Sequence, residues 1–79
     1  MEKIKLLTVN EEFGIRIRYL RNQEKISIEE LAYRSEINSK YLSDLERGSR
    51  NPTLKVINKL AKGLKIELTE LFKGIGGEF

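Results

Sequence analysis

Apolar residues recur at helical spacing along most of the chain, with short polar segments between the runs. Two short runs lie close together within residues 27–48: Leu31 and Ala32 form the first, and Leu42 and Leu45 form the second. Each run is amphipathic, and only a few residues separate the two. The pattern predicts two short helices joined by a tight corner.

The residues at the ends of these helices fit known cap preferences. Ser27, with a glutamate three positions later, has the spacing of a capping box, and Asn38 is a favourable N-cap for the second helix. Gly48 is suited to end that helix in the left-handed conformation. We therefore predict helices over 27–34 and 38–47, the layout of a helix-turn-helix motif.

Three further helices are predicted outside this motif. The first begins near Asn10 and ends near Glu24, and a later one follows Pro52 with Thr53 as its N-cap and Gly63 as its terminator. A last short helix covers residues 68–73, so the predicted fold is all-α. We divide the sequence into an N-terminal tail (1–8), one helical domain (9–73) and a flexible C-terminal tail (74–79).

Length and composition limit the chemistry that the chain can perform. A chain of 79 residues encloses one small core, and the absence of Cys and His excludes disulfides, thiolate metal sites and catalysis by either residue. Asp44 and Glu46 fall on opposite faces of one helix and cannot act as a carboxylate pair. We expect no enzyme activity, no metal, no cofactor and no small-molecule ligand.

The sequence also predicts a location and a distribution of charge. No segment resembles a signal peptide or a membrane-spanning helix, so we expect a cytoplasmic protein. The net charge is +3, yet residues 27–52 hold four basic and five acidic side chains. If this region binds nucleic acid, the phosphate contacts must come from a few placed basic groups rather than from a general positive field.

From Phe13 to Phe72 the sequence resembles the phage-repressor type of helix-turn-helix domain. This is the lambda Cro and xenobiotic-response-element (XRE) family, which includes restriction-modification controller proteins, prophage repressors and many antitoxins. The resemblance is carried by FGIRIRYLR, ISIEELAYRSEINSKYLSDLERG, RNPTLKVINKLAKGL and IELTELF. It implies a compact five-helix bundle that binds double-stranded DNA as a homodimer and regulates transcription by inserting helix 38–47 into the major groove of a palindromic operator.

The resemblance also implies which residues face the DNA bases. Lys40 can donate to guanine, whereas Asp44 can only accept, as from cytosine, or orient Lys40 from the same helix face. Two positions depart from the family pattern: Ile28 replaces a frequent Gln that contacts DNA, and Glu36 replaces a frequent Gly in the corner. The four residues on the base-facing positions are Ser39, Lys40, Ser43 and Asp44.

A second group of residues matches the positions at which members of the family contact the DNA backbone. Tyr41 fits a DNA contact and a position at the edge of the core equally well, and a cap role for Asn38 would compete with a phosphate contact. A simply solvated loop is the alternative for the residues after Gly48. The predicted backbone contacts are Asn38, Tyr41, Arg47, Ser49, Arg50 and Asn51.

Two further sets of residues have structural roles under the family pattern. Arg21 and Glu46 match an ion pair that ties the first helix to the recognition helix, so we assign them to stability rather than to DNA binding. The last helix is too short to be stable alone and is predicted to meet a second copy, although its apolar residues could instead complete the core of one chain. The predicted dimer residues are Leu68, Leu71, Phe72 and Ile75.

The sequence leaves one alternative function open. The mixed charge of helix 38–47 is compatible with an antitoxin-like module that uses the same fold to bind a protein such as a cognate toxin. RNA polymerase is a further candidate partner of a transcriptional regulator. Binding that weakens steeply with salt distinguishes DNA from a protein partner.

Overall fold

Polar caps mark the starts of most helices in residues 6–76, the part of the chain that the computed structural model describes. The predicted tails, residues 1–8 and 74–79, lie partly outside this range. The described chain contains no strand, and the all-α prediction is confirmed. The helices are α1 (Val9–Gln23), α2 (Ile28–Ser35), α3 (Ser39–Glu46), α4 (Leu54–Leu64) and α5 (Leu68–Leu71).

Three of the predicted N-caps form. The side chains of Ser27, Asn38 and Thr53 each accept a hydrogen bond from the backbone amide three residues later, at 3.0, 3.0 and 3.1 Å. The predicted capping box at Ser27 is only half formed, because the Glu30 carboxylate pairs with Arg34 Nε at 3.0 Å. Each cap satisfies one of the amides that a helix start leaves without an intrahelical partner.

The cap of α1 lies in the segment that the sequence assigned to the tail. Thr8 Oγ1 accepts from the Glu11 amide at 3.0 Å, and Glu11 Oε1 accepts from the Thr8 amide at 2.9 Å, which completes a capping box. The helix consequently begins at Val9 rather than near Asn10. Thr8 therefore belongs to the helical domain and not to the tail.

Two helix ends differ from the prediction. Gly63 does not terminate α4, which continues to Leu64 and is followed by Lys65 in the left-handed conformation, with φ of 60°. Gly63 faces α2 instead, where a Cβ atom at this position would lie 2.2 Å from Ser35 Oγ. The glycine therefore allows α2 and α4 to approach closely. The last helix, α5, ends at Leu71, two residues before the predicted end.

A single apolar core joins the helices. α2 packs mainly against α4, and α1 packs against α3. The ring centroids of Phe13 and Phe72 lie 5.7 Å apart, which connects α1 to the segment after α5. The buried apolar residues are Phe13, Ile17, Leu31, Ala32, Leu42, Leu45, Ile57, Leu60, Ala61, Leu64 and Leu71.

The core corrects one of the predicted dimer residues. Leu71 is fully buried within its own chain, so it has no surface left with which to contact a second copy. Ile75 also packs against the core. Leu68 and Phe72 keep 42% and 38% of their surface exposed. Only these two of the four predicted residues leave the chain a substantial apolar surface at α5.

Among the described residues, no helix has the length and apolar character needed to cross a membrane.

Candidate nucleic-acid interface

The recognition helix α3 presents one face to the core and the other to solvent. Leu42 and Leu45 are fully or almost fully buried, and their spacing turns the opposite side of α3 outward. Lys40 lies on that side with 79% of its side chain exposed. Ser39 and Ser43 remain partly accessible beside it. The first turns of α3 therefore offer donors on an open surface.

A close contact with α1 fixes the C-terminal end of α3. Gly14 lies against the last turn of α3, and a Cβ atom there would lie 2.5 Å from the carbonyl oxygens of both Leu45 and Glu46. No L-residue with a side chain fits this space without moving one of the helices. Glycine therefore sets the distance between α1 and the recognition helix.

An ion pair reinforces the same contact. Arg21 Nε donates to Glu46 Oε2 at 2.7 Å and Arg21 Nη2 donates to Oε1 at 3.0 Å, while Arg21 Nη1 donates to the Ile26 carbonyl at 3.0 Å. The Glu46 side chain is 1% exposed, and Arg18 Nε approaches its Oε1 at 3.5 Å. Hydrogen bonding to Glu46 raises the pKa of Arg21 against the opposing effect of burial. The geometry matches the structural pair that the sequence predicts.

Asp44 occupies the centre of a second charged cluster at the other side of α3. Its carboxylate accepts from Arg47 Nη2, lies 3.4 Å from Arg50 Nη2 and lies 3.5 Å from Lys40 Nζ. The Asp44 side chain is 11% exposed, whereas those of Arg47 and Arg50 are 57% and 50% exposed. We call these four residues the Asp44 cluster.

The charges of the Asp44 cluster act on its carboxylate in opposite directions. Burial raises the pKa of Asp44, but the positive charges of Lys40 and Arg47 and the hydrogen bond from Arg50 together lower it below its ordinary value. The carboxylate is therefore ionised at neutral pH. An ionised carboxylate can only accept hydrogen bonds, and its neighbours already supply donors.

Two further contacts order the loop that follows α3. The Arg50 guanidinium lies over the Tyr41 ring, with Cζ 5.4 Å from the ring centroid, and Tyr41 itself packs partly against the core. Ser49 donates from its backbone amide and its hydroxyl to the Asp44 carbonyl, at 3.1 and 3.0 Å. The loop is thereby folded back against α3, with Gly48 in the left-handed conformation at φ of 82°.

The structure brings most of the predicted DNA-binding residues to one surface. Arg47 Nη1 also donates to Ser43 Oγ at 3.0 Å, which links the base-facing group to the backbone-facing group. Asn38 is engaged at the start of α3, where its Oδ1 caps the Tyr41 amide. Asn51 is exposed in the loop. The DNA contacts assigned to these residues stay predictions.

The convergence of three cations on one carboxylate was not predicted from the sequence. The spacing of Lys40 and Arg47, four positions before and three positions after Asp44, was a signal for two of the pairs. Only the pair with Lys40 was predicted. The pair with Arg50 depends on the reversal of the chain at Gly48, which residue spacing along α3 does not reveal.

Acidic side chains form no metal-binding group in the described chain. Within residues 6–76 no group of three or more Asp or Glu side chains is placed to hold a metal ion. Asp44 and Glu46 are both engaged by cations of this chain, at separate positions on α3.

The sequence matches a helix-turn-helix family model, HTH_3, over residues 17–71, which span all but the first part of the bundle. The chain belongs to this XRE-type helix-turn-helix family. The control protein C.BamHI of Bacillus amyloliquefaciens is 37% identical over 60 residues, which cover 75% of this chain and 74% of that protein. The resemblance inferred from the motifs is confirmed.

Solved structures of this family share the fold. The restriction-modification controller protein C.AhdI from Aeromonas hydrophila matches with a TM-score of 0.77 and 45% identity, over 78% of this chain and 94% of that one. The controller protein C.Esp1396I, solved bound to a 25-base-pair operator site, matches with a TM-score of 0.78 and 29% identity, over 86% and 90% of the two chains. The compact five-helix bundle is confirmed.

The chain spans 46% and 38% of the length of two longer transcriptional regulators that it also matches.

Proposed function

We propose that this chain is a sequence-specific regulator of transcription that binds double-stranded DNA as a homodimer. The observation that carries the proposal is the exposed face of α3, where Lys40 and two serines stand beside the partly exposed guanidinium groups of Arg47 and Arg50. Donors of this kind serve both base edges and phosphates. The operator complex of the related C.Esp1396I supports DNA as the ligand.

In the proposed complex α3 enters the major groove with its N-terminal end foremost. Lys40 donates to guanine O6 and N7, and the hydroxyl groups of Ser39 and Ser43 contact neighbouring base edges. Arg47 and Arg50 contact phosphates, which fixes the register of the helix on the duplex. No step of this mechanism requires a reaction on the DNA, so the proposal is a binding protein and not an enzyme.

A second copy would place an equivalent recognition helix on the next major-groove face. Half-sites one helical turn apart require recognition helices separated by about 34 Å. The exposed surfaces of Leu68 and Phe72 at α5 are the proposed contact between copies. Occupancy of a palindromic operator would then block RNA polymerase or present a surface to it from an adjacent site. We also propose the cytoplasm as the place where this regulator meets its operator.

The test begins with selection of bound fragments from a random pool of duplex DNA by the purified chain. We expect one palindromic sequence to be enriched and its binding, measured by fluorescence anisotropy, to weaken steeply between about 50 and 200 mM salt. Lys40→Ala should reduce the preference for that sequence. Lys62→Ala, which removes an exposed lysine from the last turn of α4, serves as the charge-matched control.

Substitutions in the loop should affect DNA binding in a different way. Arg47→Ala and Arg50→Ala should weaken binding to every sequence alike and reduce the log–log salt slope by about 0.9 for each phosphate that is no longer neutralised. A sequence-selective loss of affinity in either variant would contradict the backbone assignment. Failure to enrich any sequence, together with weak salt dependence, would reject the DNA proposal and favour the protein-binding alternative with a toxin as the candidate partner.

A further inference from the structure

We propose that Asp44 is a positioning residue that sets the selectivity of DNA binding by holding Lys40, Arg47 and Arg50 as one ordered group. This inference rests on the proposed function of the α3 surface. It assigns Asp44 to restraint of its neighbours and not to contact with a base. The three cationic side chains are then presented to DNA in the arrangement that Asp44 holds.

The geometry of the Asp44 cluster suits such a restraint. The carboxylate is 11% exposed, so little of its surface is left for DNA, whereas the three cationic side chains are each at least half exposed. The two arginines approach different oxygens, Arg47 at Oδ1 and Arg50 at Oδ2, and Lys40 lies near Oδ1. Each guanidinium has five N–H donors, and one bond to Asp44 leaves the others for a ligand.

Neighbouring contacts limit the freedom of the arginines further. Arg47 also donates to Ser43 Oγ at 3.0 Å, and Arg50 stacks over Tyr41. Each arginine is therefore held at more than one point before DNA arrives. Ordering long side chains in advance lowers the entropic cost of forming a specific interface.

The buried negative charge also opposes indiscriminate binding. Phosphates must compete with the Asp44 carboxylate for the same three cations, and residues 27–52 as a whole carry one more acidic than basic side chain. A duplex that offers only phosphates replaces one anion with another at these cations, so the net binding free energy is small. An operator that also offers matching base edges to Lys40 and its neighbours gains further binding free energy from those contacts.

The test compares Asp44→Asn with the wild-type chain on operator and non-operator duplexes of equal length. Asparagine keeps the size of the side chain but removes the charge, so the cations become free to contact phosphates. One additional phosphate contact steepens the salt slope by about 0.9. If wild type and Asp44→Asn bind the non-operator duplex equally at 1 M salt, Asp44→Asn binds it about eightfold more tightly at 0.1 M. We expect the operator affinity to rise by less than about twofold or to fall, so that selectivity decreases.

Two further variants separate positioning from net charge and from folding. Glu36→Gln removes one exposed negative charge from the corner between α2 and α3 without altering the Asp44 cluster, and it should leave the selectivity ratio unchanged. Asp44→Glu restores the charge and should recover selectivity at least partly. Melting curves of all variants show whether each remains folded.

Each outcome decides between the interpretations. A lower selectivity ratio in Asp44→Asn, recovered in Asp44→Glu and absent in Glu36→Gln, supports the proposal. An unchanged ratio in Asp44→Asn, or an equal strengthening on both duplexes, overturns it while the DNA-binding function stands. If the wild-type chain binds no duplex selectively, the proposed function fails first and the inference fails with it.

Discussion

The Glu46 carboxylate is almost fully buried, and the stability of the domain depends on its ion pair with Arg21. Arg21 supplies two hydrogen bonds to it from α1, and burial would make an unpaired carboxylate costly. Arg18 reaches the same carboxylate at 3.5 Å from a side chain that is 59% exposed. The two arginines therefore differ in how much of the pairing energy survives solvent screening.

We expect Arg21→Ala to destabilise the domain by about 3 to 5 kcal/mol, enough to abolish or strongly depress the cooperative thermal transition of so small a chain. Arg18→Ala removes the exposed partner and should cost less than about 1 kcal/mol. Circular dichroism melts of both variants measure the difference. If Arg21→Ala melts as the wild type does but no longer binds DNA, Arg21 belongs to the binding surface and not to the core.

Asp44 gives the chain a predictable dependence on acid. Its pKa in the folded state lies below the ordinary value of 3.8, because the cations around it outweigh burial. The stabilisation from the ionised form is therefore complete above that ordinary value and is lost as the pH falls through the lowered pKa. Urea unfolding of wild type and Asp44→Asn should differ in free energy at neutral pH, with wild type the more stable, and the difference should shrink as the pH falls below that ordinary value. A constant difference would contradict the assignment.

The residues that the sequence did not assign correctly are those whose role depends on a neighbouring helix. Gly63 follows the rule for a helix terminator, yet it is retained inside α4 because Ser35 of α2 leaves no room for a Cβ atom. Leu71 is among the residues predicted to meet a second copy, but the core of its own chain encloses it. Arg21 and Glu46 were assigned correctly because the family pattern carries the contact that spacing alone does not show.

At the scale of elements, local signals determined most boundaries. Ser27, Asn38 and Thr53 cap their helices as predicted, because an N-cap needs only its own side chain and an amide three residues on. The same signal occurs at Thr8 and Glu11, at the end of the predicted tail, and it sets the start of α1 at Val9. The C-terminal end of α4 was harder to predict, since this helix ends in the left-handed conformation at Lys65 without glycine.

The corner of the helix-turn-helix should accept glycine with a gain in stability. Glu36 ends α2 with φ of 57°, a conformation that costs a residue with a Cβ atom about 1 kcal/mol relative to glycine. Glu36→Gly should therefore raise the free energy of unfolding by up to that amount. Glu24→Gly is the matched control, because Glu24 ends α1 with φ of −80°, where glycine brings no relief. Equal effects of both substitutions in urea unfolding would reject the strain at the corner.

At the scale of the whole molecule, two groups of exposed apolar residues are candidates for the contact with the proposed second copy. Leu68 and Phe72 lie together at α5, and Ile15 and Tyr19 lie on α1 with 53% of each exposed. A single exposed apolar residue is ordinary on a protein surface, so exposure alone does not identify the interface. The shortness of α5 favours this helix as the interface. A helix of four residues has little stability of its own, so contacts from a second copy on its exposed side would stabilise it.

Leu68→Lys should convert the proposed dimer to a monomer without unfolding it. The lysine would place a charge in the proposed interface between copies, whereas Leu68 lies outside the core of its own chain and is 42% exposed. Sedimentation equilibrium measures the change in mass, and Ile15→Lys, which alters an apolar residue exposed on α1, is the control. Because only a dimer reads two half-sites at once, Leu68→Lys should also lose most of its affinity for the full operator while keeping that for an isolated half-site. Dissociation by Ile15→Lys but not by Leu68→Lys would move the interface to α1 and change the predicted spacing of the two recognition helices.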